Sequence, residues 1–268
     1  MLTESLVKYL AGLLDADGSS TFTFRRQRDQ HESDLYYLSL RVQLASSTAV
    51  DKLGFVESLP SLTGMGTFSR YGAKKQFKTW QVTKRSDLEK LVPRLVKHML
   101  VKARHWQWQL DLMREYQGVL LSPEKCEELK QASKVSRTTN AGPLKPKNHP
   151  SWAWLSGYLD GDGSYKLKRY VQDGYAKWHV SASAAAHAND AEVLRFLERT
   201  IGGVVRKRND SLYIWHRNLG DSQRSYALRS LPYLAKHSRL KRDKINQMIH
   251  HHRQQRLSPL TPEGEATV

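Results

Sequence analysis

Residues 9–20 read Tyr9-Leu10-Ala11-Gly12-Leu13-Leu14-Asp15-Ala16-Asp17-Gly18-Ser19-Ser20, and residues 154–165 read Trp154-Leu155-Ser156-Gly157-Tyr158-Leu159-Asp160-Gly161-Asp162-Gly163-Ser164-Tyr165. The stretches agree in aromatic, Leu, small, Gly, Leu, Asp, small, Asp, Gly and Ser, with Asp17 and Asp162 lying 145 positions apart. A repeat of this kind changes the whole reading, because it implies two similar halves. In each copy an apolar helix carries small residues within one turn: Ala11, Gly12 and Ala16 in the first, Ser156, Gly157 and Gly161 in the second. A helix-interior glycine costs roughly 1 kcal/mol against alanine, so Gly12 and Gly157 point to a packing need, met if one repeated helix lies against the other.

Working outward, Thr3 or Ser5 caps the first helix and Gly18 ends it. Ser19 to Arg26 alternates, with Phe22 and Phe24 on one face and Thr21, Thr23 and Arg25 on the other; Tyr36 to Ala45 alternates with Leu38, Leu40, Val42 and Leu44 inward and Tyr37, Ser39, Arg41 and Gln43 outward. A helix near Ala49 to Ser58, strands at Gly66 to Tyr71 and Phe77 to Thr83, and helices at Ser86 to Leu100 and Arg104 to Tyr116 follow. The second half repeats this order: helix Ser151 to Leu159, strands Ser164 to Val171 and Tyr175 to Ser183, helix Asp190 to Thr200, a hairpin of Gly203 to Arg208 and Leu212 to Arg217 around Asn209-Asp210, and helices near Gln223 to Leu234 and Arg239 to Arg253. The fold class expected is α+β, two tandem αββαββα repeats. The halves run 1–118 and 151–256, joined by a polar, proline-bearing linker at 119–150 in which Ser122-Pro123-Glu124 starts a short helix; 257–268 is expected as a disordered tail.

The chain holds 43 Lys plus Arg against 26 Asp plus Glu, a formal charge of +17 in 268 residues that no single lysine block supplies. A charge of this size repels itself unless a polyanion neutralises it, so the first expectation is a structured basic surface for nucleic acid. Mean hydropathy of −0.63 and the lack of a run of about 18 apolar residues exclude a spanning helix, and no signal peptide precedes Leu2 to Leu14. An intracellular protein is expected, with membranes excluded as a partner. The single Cys126 excludes an intrachain disulfide and zinc-finger thiolate pairs. His250-His251-His252 diverge around a helix and read as a solvated face.

Asp17 and Asp162 sit at helix C-termini, each before a glycine. A carboxylate there faces the negative end of the macrodipole, at a cost of roughly 0.3–1 kcal/mol. If the helices meet, two such acids coexist only when one is protonated or a cation lies between them, and oxygen ligands select Mg²⁺ or a similar hard ion. Asp15 and Asp160 lie about 200° around the helix from these acids and are expected to make helix-end contacts within their own halves.

Leu10 to Gly18, LAGLLDADG, is one conservative change from the nine-residue signature of the LAGLIDADG homing endonucleases, and Leu155 to Gly163, LSGYLDGDG, is a looser second copy. The chain resembles the single-chain, two-motif branch of that family over roughly residues 3–252. The resemblance implies a pseudo-dimer in which the motif helices form the interface and two sheets make a pseudo-two-fold saddle over a long asymmetric DNA site. It implies Asp17 and Asp162 as metal-binding catalytic acids, with Ala16, Gly18, Gly161 and Gly163 beside them in the metal set. Mg²⁺ is the expected ion, Mn²⁺ or Ca²⁺ substituting and Ca²⁺ supporting binding without cleavage. The reaction implied is one phosphodiester hydrolysis per strand, leaving 3′ overhangs.

By the same resemblance Lys102 and Lys241, from the basic segments entering the last helices, lie near the attacking water or the phosphate. Gln43, Ser46 and Ser183 are its candidates for the polar residue that orients solvent, although the alanine run Ala184 to Ala186 departs from the pattern. DNA readout is expected from the exposed strand parity: Thr21, Thr23, Arg25, Ser39, Arg41, Gln43, Ser69, Tyr71 and Gln81 in the first half, and Lys166, Lys168, Tyr170, Lys177, His179, Ser181, Arg206 and Arg208 in the second. The loop Arg28 to Asp34 is expected against the DNA backbone. Double-stranded DNA is the expected partner of a monomer that needs no other protein.

The alternatives are an intron RNA-binding maturase or a non-cleaving DNA-binding regulator of the same fold. An intein-embedded enzyme expects a nucleophile at its start and a His-Asn pair at its end, which Met1 and Val268 do not match. The scarcity of Ile and Asn argues for a bacterial, phage or plastid source over a mitochondrial one.

Overall fold

The computed structural model describes residues 2–27, 34–51, 54–143, 150–172, 175–218 and 224–257; the side chains of 169–180, 189, 218, 224–229 and 252–257 are not described. In chain order the elements are α1 (Glu4–Asp17), β1 (Gly18–Arg26), β2 (Tyr36–Ser47), α2 (Phe55–Thr63), β3 (Thr67–Tyr71), β4 (Phe77–Val82), α3 (Arg85–Val96), α4 (Ala103–Glu115), β5 (Leu120–Leu121), α5 (Pro123–Thr139), α6 (Trp152–Gly161), β6 (Gly163–Gln172), β7 (Tyr175–His187), α7 (Ala191–Ile201), β8 (Val204–Asn209), β9 (Leu212–Asn218), α8 (Arg224–His237) and α9 (Arg242–Leu257). The first sheet runs β1-β2-β4-β3, with β5 added to β2, and the second runs β6-β7-β9-β8 in the equivalent order; every pairing is antiparallel. The expected tandem α+β repeat is therefore present.

The chain divides into two compact units, residues 1–161 and 162–268. The first contains α6, the opening helix of the second repeat. Within it α1 and α6 touch backbone to backbone. A Cβ built on Gly12 would stand 2.0 Å from the Trp154 carbonyl oxygen, and one on Gly157 would stand 2.0 Å from that of Tyr9. Any side chain larger than hydrogen would force the helices apart, which is why both repeats spend a glycine inside a helix. Leu10, Leu13, Leu14, Leu155 and Leu159 around this contact are fully buried.

Period-two alternation places the cores. In the first unit Leu38, Leu40, Val42 and Leu44 of β2 and Trp80 and Val82 of β4 are buried against the apolar faces of α2, α3 and α4. In the second, Ala182, Ala184 and Ala186 of β7 and Trp215 of β9 are buried under Val193, Leu194 and Leu197 of α7, with Ile245 and Met248 of α9 also buried. The alanine run thus contributes a buried row, Ala184 pairing across the sheet with Trp215.

Two expected elements are corrected. The helix expected from Ala49 begins at Phe55, because residues 48–50 turn and Asp51 caps the later start, accepting from the N–H groups of Phe55 (2.6 Å) and Val56 (3.2 Å). Buried Lys78 reaches back to the same residue, with its Nζ 2.9 Å from the Asp51 carbonyl and 3.3 Å from its Oδ2. The segment 119–150 carries more structure than a short helix: α5 spans 17 residues. Cys126 and Leu129, three apart on α5, join Leu38 and Leu121 in a buried cluster. Polar ties reinforce it, with Gln109 bonded to Ser20 and Ser133, and His105 to Ser136. Leu257, where the tail is expected to begin, instead closes α9; the rest of the tail and most of the Arg28 to Asp34 loop lie outside the described residues.

Replacing Gly12 or Gly157 by alanine is expected to lower stability by roughly 3 kcal/mol, the upper end of overpacking costs, because backbone rather than a movable side chain must yield. Urea unfolding measures it; an unchanged midpoint would show that the two backbones do not touch.

Candidate active site and nucleic-acid interface

Asp17 closes α1 and is exposed, and Asp162 is the exposed residue immediately after α6. At the tip of α6, a Cβ on Gly161 would meet the Ala16 Cβ at 2.4 Å and Asp17 Oδ2 at 3.2 Å, so the small residue before Asp162 is required by the closeness of the helix ends. Gly18 donates its N–H to the Leu14 carbonyl, and extended backbone there turns the chain directly into β1. Asp17 thus projects from the last turn of the helix at the start of a strand.

The other motif acids are buried, as the 200° offset requires, but their contacts cross between the motifs. Asp15 accepts from the backbone N–H groups of Leu100 (2.6 Å), Val101 (3.3 Å) and Lys102 (2.9 Å), and also from the Trp154 indole (3.1 Å). Asp160 accepts from the Tyr9 hydroxyl at 2.7 Å. Tyr9 and Trp154 occupy the same motif position, so each motif aromatic holds the other motif's acid. The expectation of contacts within each half holds for Asp15 and Leu100 to Lys102; the crossing is the correction, and it follows from the glycine contact that brings each helix within side-chain reach of its partner.

Both expected lysines reach the motif ends. Lys102 Nζ donates to the carbonyls of Leu14 (3.0 Å), Ala16 (2.9 Å) and Gly18 (2.8 Å), covering the negative end of α1. Lys241 Nζ donates to the Gly163 carbonyl at 2.5 Å, and Gly163 is the counterpart of Gly18. The unequal sequence offsets of the two lysines therefore converge on equivalent carbonyls.

Strand registers order the polar residues. Thr21 pairs with Arg41, Thr23 with Ser39, Arg25 with Tyr37, Ser19 with Gln43, and Gln43 in turn with Gln81; Thr67, Ser69 and Tyr71 of β3 extend the same face. In the second sheet Ser164 pairs with Ser183, Lys166 with Ser181 and Lys168 with His179, and Ser183 with His216. Gln43 opposes the residue after Gly18, and Ser183 opposes the residue after Gly163, which makes them equivalent positions. Arg41 and Thr23 also border a cavity of about 460 Å³ lined by Phe22, Phe24, Tyr36, Pro123, Cys126 and Lys130.

Three site expectations need correction. Ser46 pairs with Lys78 and lies on the opposite face from Gln43, since parity alternates with each residue. Ser181 is 3% exposed, too short to emerge from a central strand. Arg208 is exposed as expected, but a bulge between Lys207 and Asn209 takes it out of the strict alternation with Arg206. The side chains of Tyr170, Lys177 and His179 lie outside the described ones. Ser19, Thr67, Phe77, Ser164 and His216 share the two faces and were missed; cross-strand register, which a single sequence does not print, is the signal that finds them.

The architecture is that of the LAGLIDADG homing endonucleases. Solved structures that match it include I-SmaMI bound to an uncleaved DNA target with calcium ions (TM-score 0.67, 15% identity, 96% of this chain and 94% of that one) and the LAGLIDADG meganuclease I-AabMI bound to uncleaved DNA (0.66, 14%, 96% and 94%). The LAGLIDADG homing endonuclease I-GzeII in complex with its DNA target also matches (0.66, 14%, 94% and 92%). No family model and no curated protein matches the sequence. At these identities the likeness is one of fold. Among the described residues no helix is long and apolar enough to cross a membrane.

Burial pushes the Asp15 carboxyl up from 3.8 to about 6, against the pull of the Leu100 and Lys102 N–H groups, the Lys102 charge and the Trp154 indole. Burial, with Arg137 and Lys102 nearby, pushes His105 down from 6.5 to about 4. Between these limits the native state keeps a proton on Asp15 that the unfolded chain has released, so Asp15 makes stability fall as pH rises from about 4 to 6. The unfolded chain protonates His105 where the native state does not, so His105 makes stability rise from about pH 4 to 6.5. The slopes oppose one another. Urea unfolding across this range should show Asp15→Asn steepening the rise and His105→Gln exposing the fall, each by roughly 2–3 kcal/mol.

Proposed function

We propose that the chain is a site-specific endodeoxyribonuclease that binds a long duplex DNA target along its two outer sheet faces and hydrolyses one phosphodiester in each strand, leaving 3′ overhangs. The observation that carries this reading is the repeated helix tip: an exposed Asp17 and an exposed Asp162 follow helices packed through glycine, each followed by a strand whose carbonyl a lysine holds. The structures it resembles are of endonucleases bound to DNA, and the charge of +17 suits a polyanionic partner.

The donor chemistry fits a hard divalent cation. Asp17 and Asp162 offer carboxylate oxygens where the helix end disfavours added negative charge, oxygen donors suit a hard ion, and a Cβ on Gly161 would crowd Asp17 Oδ2. Bound there, Mg²⁺ would supply an activated water and charge stabilisation at the phosphate. The chain's own residues supply the rest. Lys102 and Lys241 fix the carbonyls beside the acids and bring positive charge to the phosphate. Gln43 and Ser183 present equivalent polar groups that hydrogen-bond solvent. Arg25, Arg41, Lys166, Lys168 and Arg206 contact phosphates and base edges, while Gln81 suits adenine.

Duplexes selected from a randomised library by the purified chain should be cut in Mg²⁺, bound but uncut in Ca²⁺, and should outcompete structured RNA at matched salt. Asp17→Asn and Asp162→Asn should each slow cleavage by at least about a hundredfold with binding retained, and Lys102→Ala by about tenfold or more. Gel analysis of end-labelled strands reads all three; a selected duplex that wild type leaves intact in both Mg²⁺ and Mn²⁺ would refute the proposal.

A further inference from the structure

The outer face of the first sheet carries hydrogen-bonding side chains along most of its length; apart from the small Ala45 of β2, one aromatic pair interrupts them. Tyr71, at the end of β3, and Phe77, at the start of β4, are directly paired across the strands. Their rings stack at 5.2 Å between centroids and 22° between planes, yet they remain 47% and 38% exposed. They do not serve the core, which takes Trp80 from the other face of β4. The next pair along the same face is Ser69 with buried Thr79, and Ser47 of β2 pairs with Phe77. The turn joining the strands uses left-handed backbone at Gly72 (φ 90°) and Lys75 (φ 49°), and its Lys74 and Lys75 are exposed.

Stacked rings left in water keep a hydration cost that an apolar ligand group would remove. On the base edges of a major groove, donors and acceptors dominate, and the C5-methyl of thymine is the apolar feature. Phe77 offers no hydrogen bond at all, so a polar base edge gains nothing from it. Resting on the DNA reading above, we infer that the Tyr71–Phe77 pair is a specificity element that reads a pyrimidine C5-methyl group, thymine or 5-methylcytosine, while Lys74 and Lys75 face the adjacent phosphates.

The test uses the full chain in Ca²⁺ with its selected duplex, in which each thymine is replaced in turn by uracil, which lacks only the methyl. At one position uracil should weaken binding about fourfold, the effect of one buried methyl, and 5-methylcytosine should bind better than cytosine there. Phe77→Leu, which keeps an apolar contact, should retain the discrimination; the Tyr71→Ser, Phe77→Ser double variant, checked for folding by thermal melts, should lose it. Wild-type discrimination in the double variant, or tolerance of uracil throughout the site, would overturn the inference while leaving the nuclease reading intact. Failure to enrich any duplex would overturn both.

Discussion

The closeness of α1 and α6 is the constraint on which the other features depend. With the backbones in contact at Gly12 and Gly157, the leucines around them are sealed from water, each contributing roughly 1.5–3 kcal/mol. The same closeness lets Trp154 reach Asp15 and Tyr9 reach Asp160, and it brings Gly161 against Ala16 and Asp17. None of these contacts survives a separation of even a few ångströms. The glycines therefore set the positions of the motif carboxylates several residues away, through rigid helix rather than through direct contact.

A second layer of order comes from satisfying charges and carbonyls at the helix ends. Asp15 is deeply buried and costly to ionise, yet three backbone N–H groups and an indole converge on it. Those N–H groups belong to the turn that carries Lys102, and Lys102 returns to the carbonyls at the end of α1. A closed circuit of hydrogen bonds thus links the motif helix, the turn after α3 and the first residue of β1. It fixes the direction in which Asp17 leaves the helix without using Asp17 itself.

Much of this was legible before the structure, for identifiable reasons. The repeat, the small residues and the paired acids are local patterns, and strand parity follows from alternation within one segment, so Leu38 to Leu44 and Arg41 to Gln43 fell on the expected faces. What a single sequence does not carry is pairing between segments. The crossed aromatic–acid bonds, the bulge at Arg208, the burial of Ser181 and the facing of Ser46 toward Lys78 all depend on register or on a neighbouring strand. Helix α5 was underestimated because its apolar content is confined to a few residues, Cys126 and Leu129 among them, whose value appears only once β1 and β2 lie beneath them.

Because the first compact unit extends to Gly161, its apolar seam is incomplete until the second motif has been made. During vectorial synthesis the side of Leu10, Leu13 and Leu14 that meets α6 stays uncovered by it while the intervening sheet, helices and α5 emerge. The nascent chain therefore passes through a long interval in which its earliest helix can pack against β1, β2 and α3 but not against α6.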